Sequence, residues 1–470
     1  MREAVLRATY YVQNRTRLHV TQSMRPLALI VVLTAPLFGQ FRAGAAKRTI
    51  TPDLEKYGPV YMAGFSHNRV ATSIHDDLWA RCFAVGTDRM PLVMCGVDSI
   101  GLFRDDVNRI RDLVKKQSGR DADVVVAALH DHEAPDTMGL WGPAADKSGI
   151  NEAYNSYVIE RTAEAAVEAI KSLAPATFVL AKAHPAILDT FINDTRPPVV
   201  HDAEVIVLSA VAEDGTRIGT LVNWANHPET LASKNTAITS DYSGYLRDQL
   251  EKRLGGVAVF INGAVGGMQS PLNAKIEGVA EASFEKARYI GEHVADIAAD
   301  AVLAAKPTPL TGFILAEKEI RIPVTNQGFN LAAKADLYKG RKPTVADKTV
   351  TAVGLVRLRN GDDTILTIAL IPGELYPELS VGGVERYSGA DFPGAPIEPA
   401  IKSGMDSPYR MLFGLAGDEI GYIIPKAEWD EKEPWLNGAS KRWYGEVNSV
   451  GPDAAPLIAK TFLDLLRENK

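Results

Sequence analysis

Ala122-Asp-Val-Val-Val-Ala-Ala-Leu-His-Asp-His-Glu-Ala-Pro-Asp136 is the stretch on which the reading of this chain turns. It opens as an unbroken apolar run, Val124 to Leu129, with three β-branched residues in a row. Such a run predicts a strand buried on both faces. Where it stops come His130, Asp131 and His132. In open α/β sheets, ligands gather at the carboxyl ends of strands. Two imidazoles delivered there can hold a metal, or one can hold it while the other moves protons. Strand alternation would turn His130 and His132 to the same side. The plainer alternative is a pair of polar loop histidines.

Outward from this stretch, strands alternate with helices. Upstream, Lys47 to Pro52 reads as an edge strand ending at a proline. Asp77–Gly86 and Pro91–Asp98 read as strands, and Asp105–Lys116 as a helix. Downstream, residues 136–150 form a long Gly/Pro loop containing Trp141, and Tyr154–Leu173 is a helix. Strands are expected near 177–182, 204–210, 217–224 and 257–261, with helices at 242–254, 279–305 and 453–468. Strands dominate from Pro307 to Ile371. The expected class is α/β, a mixed β-sheet core with flanking helices and a more strand-rich C-terminal third.

The chain has 470 residues, too many for one hydrophobic core of ordinary size. Possible lobes are 43–306 and 307–470. A formal net charge of -7 argues against a nucleic-acid partner, which would need a basic excess. Residues 24–40 place one positive charge before a short apolar run and then small residues. That is the layout of a secretory signal, so residues 1–42 read as an extension with a signal peptide, and the protein as secreted or periplasmic. Cys82 and Cys95 lie in apolar runs and read as small core residues; a disulfide between them stays open. With no CxxC pair, a metal would need His, carboxylate or Tyr ligands.

Three further places could carry chemistry. Leu221-Val-Asn-Trp-Ala-Asn-His227 brings another histidine to a strand end. Glu374 follows a Pro-Gly turn; it suits a metal ligand or the first-turn acid of a helix. The glycine-rich turn 263–270 could converge backbone N–H groups on an anion, with Ser270 beside it as nucleophile or substrate contact, or could simply be a tight turn.

Several segments, taken in order, resemble the catalytic domain of the neutral/alkaline ceramidases. Ser73-Ile-His-Asp-Asp-Leu-Trp-Ala-Arg-Cys-Phe83 is similar to that family's G-I-H-x-x-L-x-A-R-A-F segment. Leu129-His-Asp-His132 resembles T-H-T-H, Asn223-Trp-Ala-Asn-His-Pro228 resembles N-W-F-A-x-H-P, and Ser240-Asp241-Tyr-Ser-Gly244 resembles S-S-D-N-x-G. Ile371-Pro-Gly-Glu374 and Gly421-Tyr422-Ile match x-P-G-E and G-Y-V. Gly267 stands where the family's serine loop has an aspartate, and Glu133-Ala-Pro replaces Ser-Gly-Pro.

The resemblance implies a zinc amidohydrolase, 43–470 being its catalytic domain, that cleaves the N-acyl amide of ceramide-like sphingolipids. It implies zinc ligands His130, His227, Glu374 and Tyr422. It places His132 beside the metal as a proton-transfer or oxyanion group, and Tyr444 as a hydrogen-bond donor to the substrate carbonyl. Ser270 and Arg196 would complete the catalytic set. The expected partner is a lipid amide, met by peripheral contact with a membrane. The alternatives are a zinc amidase or esterase for another acylated substrate, and a non-catalytic surface protein on the same fold.

Overall fold

A computed structural model of the chain describes residues 7–8, 41–341 and 347–470. The expected signal segment, 24–40, lies outside the described residues. The main sheet is built from β1 (Arg42–Thr49), β2 (Trp79–Gly86), β3 (Pro91–Val97), β4 (Asp123–Ala128), β5 (Ala174–Ala183), β6 (Val205–Ala212), β7 (Arg217–Trp224) and β8 (Val257–Asn262). Their order across the sheet is β8-β7-β6-β5-β1-β2-β3-β4. The interior pairs are antiparallel, and only the two end pairs are parallel: β3 with β4, and β7 with β8. The mixed α/β architecture agrees with the sequence reading.

Those two end pairs are far apart in strand order but close in space. A Cβ on Gly96, in β3, would stand 2.3 Å from the carbonyl oxygen of Phe260, in β8. Only glycine lets the two backbones approach so closely. The sheet therefore curls until the carboxyl ends of its two parallel pairs meet, and that is where both histidine segments emerge.

Helices cover the outside of this sheet. Arg104–Ser118 (α1) and Glu152–Lys171 (α2) pack Val107, Ile110, Val158 and Ile159 against β1–β4. Asp241–Leu254 (α3) and Phe284–Ala304 (α4) pack Leu246, Leu250, Ile290 and Val294 against β5–β8. The inner face meets a second sheet, formed by β9 (Gly312–Pro323), β10 (Lys348–Asn360), β11 (Asp363–Leu370) and β13 (Tyr409–Phe413), with the short strand Arg7–Ala8 on its edge. The apolar layer between them joins Phe83, Met94 and Leu208 to Val356, Ile368 and Phe413, so one core spans both sides of residue 306. Two-residue strands β12 (Glu374–Leu375) and β14 (Tyr422–Ile423) pair in parallel beside it. Ala454–Glu468 (α6) closes the far side through Ile458, Phe462 and Leu465.

Two expectations are corrected. The Lys47–Pro52 segment is no edge strand: β1 ends at Thr49, pairs with β2 along its whole length and touches β5 at Arg42 and Ala43. Pro52 lies beyond the ladder, so its missing N–H costs no sheet hydrogen bond. The strand-rich third is also interrupted by a helix, Gln327–Lys334 (α5), capped by the Asn326 side chain. Cys82 and Cys95 face each other across β2 and β3 and form a disulfide, while remaining fully buried in the core.

Candidate metal centre

His130 follows β4 by two residues, and its φ of +65° lies in the left-handed region. A non-glycine residue held there marks a backbone over-determined by its surroundings. The turn is fixed by Leu129 N–H to Val97 O (2.9 Å), Asp131 N–H to Ser99 O (3.1 Å) and His132 N–H to Pro228 O (3.0 Å). The alternation argument for His130 and His132 is thereby corrected. Both lie past the strand end, and the turn, not the pleat, brings their rings to a centroid distance of 4.8 Å.

His227 arrives from the other parallel pair. Its ring centroid is 4.9 Å from that of His130 and 5.4 Å from that of His132. The candidate ligand nitrogens of all three lie within 4.8 Å of one another. Asn262, the last residue of β8, joins the two histidine segments. Its side-chain amide donates to Leu129 O (2.9 Å) and Asn226 O (2.8 Å), the carbonyls just before His130 and His227. Its Oδ1 accepts from Asn226 N–H and Gly263 N–H.

Glu374 completes the point of convergence. Its Oε2 is 3.2 Å from His130 Nε2 and 3.2 Å from His227 Nε2. The Nδ1 atoms of both rings lie 2.7 Å from backbone carbonyls, Ile100 O and Gln269 O. A carbonyl can only accept, so each Nδ1 carries the proton. Each Nε2 then either carries a second proton toward the carboxylate or turns a lone pair on it, and the second arrangement needs a cation at its centre. Two ligand atoms about 2.0–2.1 Å from a tetrahedral zinc stand about 3.3 Å apart, so the spacing fits a metal as well as it fits protons. Carbonyl-anchored Nδ1–H groups are also the usual outer support of metal-bound histidines.

The remaining sequence-derived candidates divide. Tyr422 is buried and sits opposite Glu374 in the β12–β14 pair. It lines the same cleft as His130, His132, Glu374 and Tyr444. Tyr444, half exposed at the cleft rim, stacks edge-on against Tyr422 at 5.9 Å. Ser270 is buried, its Oγ accepts from Leu272 N–H, and it is not among the residues that line the cleft. Arg196 is buried too, but it does not line the cleft. It donates to Glu446 (2.5 Å) and to Glu428 O (2.7 Å), and lies over the rings of Tyr376 and Trp443. It thus ties down the segments that present Glu374, Tyr422 and Tyr444.

Electrostatics follow from burial and these neighbours. Burial pushes the Glu374 carboxyl up, but His130 and His227 outweigh it and hold it below the usual carboxylate range. Burial, reinforced by His130, His227 and Arg69, drives His132 well below the ordinary imidazole value, so its ring is neutral. Neither of its ring nitrogens has a well-formed hydrogen bond, although Glu229 Oε2 lies 3.3 Å from Nδ1.

Sequence reasoning missed Asn262, Glu229, Arg69 and Glu133. Arg69 pairs with Glu133 at 3.2 Å and donates to the His132 carbonyl, so it braces the second histidine from behind. Glu229 and Glu133 each adjoin a quoted motif, and an acid next to a predicted ligand was the available signal. Arg69 offered none.

The arrangement has counterparts among solved structures. A neutral ceramidase from Pseudomonas aeruginosa superposes with a TM-score of 0.69 at 17% identity, covering 91% of this chain and 74% of that one. The fold is that of the neutral ceramidases. A ceramidase complexed with C2 gives the same TM-score at 16% identity, covering 91% of this chain and 75% of the other. No family model and no curated protein matches this sequence. The likeness is one of fold, at 16–17% identity.

Proposed function

We propose that this chain is an exported zinc-dependent hydrolase that cleaves the N-acyl amide of a ceramide-like lipid. The observation that carries the reading is Glu374 Oε2 held 3.2 Å from the Nε2 atoms of both His130 and His227 at the base of a cleft. His130, His227, Glu374 and Tyr422 would hold the metal. A bound zinc ion supplies Lewis acidity, polarising a carbonyl and acidifying water. The neutral His132 ring has a nitrogen with which to take a proton and pass it to the leaving amine. Tyr444 donates its hydroxyl to the substrate carbonyl from the rim, and Arg196 keeps that tyrosine's segment in place through Glu446. Ser270, hydrogen-bonded to Glu229, supports the Glu229–His132 side of the site.

Apolar side chains along one flank of the cleft, Ile100, Met138 and Leu140 among them, suit a lipid substrate presented from a membrane surface. The Cys82–Cys95 disulfide suits an oxidising compartment outside the cytosol. Among the described residues no helix is long and apolar enough to cross a membrane.

The test pairs elemental analysis with hydrolysis of a fluorescent ceramide by wild type and His130→Ala. Wild type should carry about one zinc per chain and turn the substrate over. The variant should lose both. Retention of zinc and turnover by His130→Ala would remove the assignment.

A further inference from the structure

Two segments outside the metal point build one wall of the cleft. The first is the 136–150 loop, which supplies Met138, Leu140 and Trp141. The second is the segment that follows β9, residues 324–341, which carries α5 and supplies Phe329. Together they form a small apolar cluster of their own, with Phe103, Ala332, Leu337 and Tyr338 behind the lining residues.

This wall is fixed rather than hanging free. Ser148 Oγ donates to Leu337 O at 2.6 Å. A Cβ on Gly139 would stand 2.0 Å from that same carbonyl, so loop and connection pack backbone against backbone. At the far end Arg341 donates to Asp106 at 3.0 Å and to Glu152 at 2.9 Å, on α1 and α2. At the near end Asn326 caps α5 and also donates to Val447 O (2.7 Å) and Ser449 O (2.9 Å), just beyond Tyr444. Phe329 points from α5 toward the site. A Cβ on Gly421, the residue before Tyr422, would lie 3.3 Å from its ring tip. The cleft that remains measures about 470 Å³ including its open mouth.

We propose that residues 326–341 form a rigid selectivity wall, with Phe329 as its measuring side chain, restricting the cleft to substrates with a compact acyl group. The proposal rests on the hydrolase reading above and narrows its substrate class: an N-acyl lipid whose acyl part is short, the remainder of the molecule staying at the mouth. A packed wall discriminates by refusing methylenes, and each refused group changes relative affinity by about tenfold or more.

The test uses the full zinc-loaded chain and calorimetric titration with butyrate, octanoate and laurate, whose carboxylates anchor at the histidines while their tails probe the wall. In wild type the affinity gain should stop before laurate. Phe329→Ala should strengthen laurate binding by about tenfold or more and leave butyrate unchanged. Phe329→Leu should fall between. Leu331→Ala, exposed on the same helix, should match wild type and so control for damage to α5. If Phe329→Ala shifts all three acids equally, or none, the wall is not the selector. The two readings separate in hydrolysis assays on acyl amides of the same chain lengths. Cleavage at all lengths alike, unaltered by Phe329→Ala, leaves the hydrolase and sinks the wall. A chain-length cut-off in binding with no cleavage of any amide does the reverse.

Discussion

Glu374 is a carboxylate that burial alone would neutralise, and two imidazoles keep it charged. The positions of those imidazoles depend on a residue with no chemistry of its own. Asn262 satisfies the carbonyls before both His130 and His227. Its replacement by alanine leaves two buried carbonyls without that donor and frees both turns. Asn262→Ala should therefore weaken metal binding by about 10–100-fold, as loss of outer-shell support does. Competition with a chromogenic chelator measures it, and unchanged affinity would show that the turns hold themselves. Glu378 gives a prediction of opposite character. Burial, with Glu428 nearby, pushes its carboxyl up to about 9, and its Oε2 has no hydrogen-bond partner. The folded value lies above the unfolded one of about 4.3, so the folded state binds more protons between them. Stability contributed by this proton falls as pH rises through that window. Glu378→Gln should stabilise the protein at pH 8 by roughly 2 kcal/mol or more, and the gain should shrink toward pH 5. Urea melts at the two pH values decide it; an equal effect at both would mean that the carboxyl is already ionised when folded.

At the scale of elements, strands and helices with a single period are where sequence and structure agree best. The run Val124–Leu129 is β4 almost to the residue, and the periodic apolar positions of 105–116 became α1. The disagreements sit where an element is held by partners distant in sequence. α5 is one turn too short to announce itself by periodicity, and it is stable because Arg341, Asn326 and Ser148 pin the connection around it. Removing the Arg341 guanidinium leaves Asp106 buried with fewer partners, at a cost of about 3–5 kcal/mol when such a pair is broken. Because this ion pair lies at one end of the connection, part of that cost should appear as local opening. Arg341→Met should speed amide exchange over residues 327–341 by about tenfold or more, relative to α6. Uniform acceleration across the chain would instead make the ion pair part of the global core.

At the scale of the whole molecule, the disulfide staples neighbouring strands of a sheet that already has extensive packing on both faces. It closes a short loop, so the chain-entropy model assigns it about 3 kcal/mol. Replacing both Cys82 and Cys95 by serine should lower unfolding stability by roughly 2–4 kcal/mol, with zinc content retained. Denaturant melts with parallel metal analysis check it; loss of zinc in the double variant would mean that the two ends of the curled sheet depend on this staple to meet.

The sequence by itself determined the elements of the main sheet, because burial on both faces and helical spacing are written locally in residue type. It also offered His130, His227 and Glu374 as candidates, since polar groups after apolar runs and turns stand out in a linear reading, whereas Tyr422 came only from the resemblance of Gly421-Tyr422-Ile to a family motif. It could not say that they meet. That outcome depends on the curl of the sheet, which glycine at position 96 permits and Asn262 closes, and on two-residue strands that put Glu374 beside Tyr422. Arg196 shows the same limit from the other side. The family resemblance marked it for the catalytic set, and only the tertiary packing of Glu446, Tyr376 and Trp443 around it made its charge a brace behind the site. A buried cation goes where its partners are, and partners hundreds of positions away are not visible along the chain.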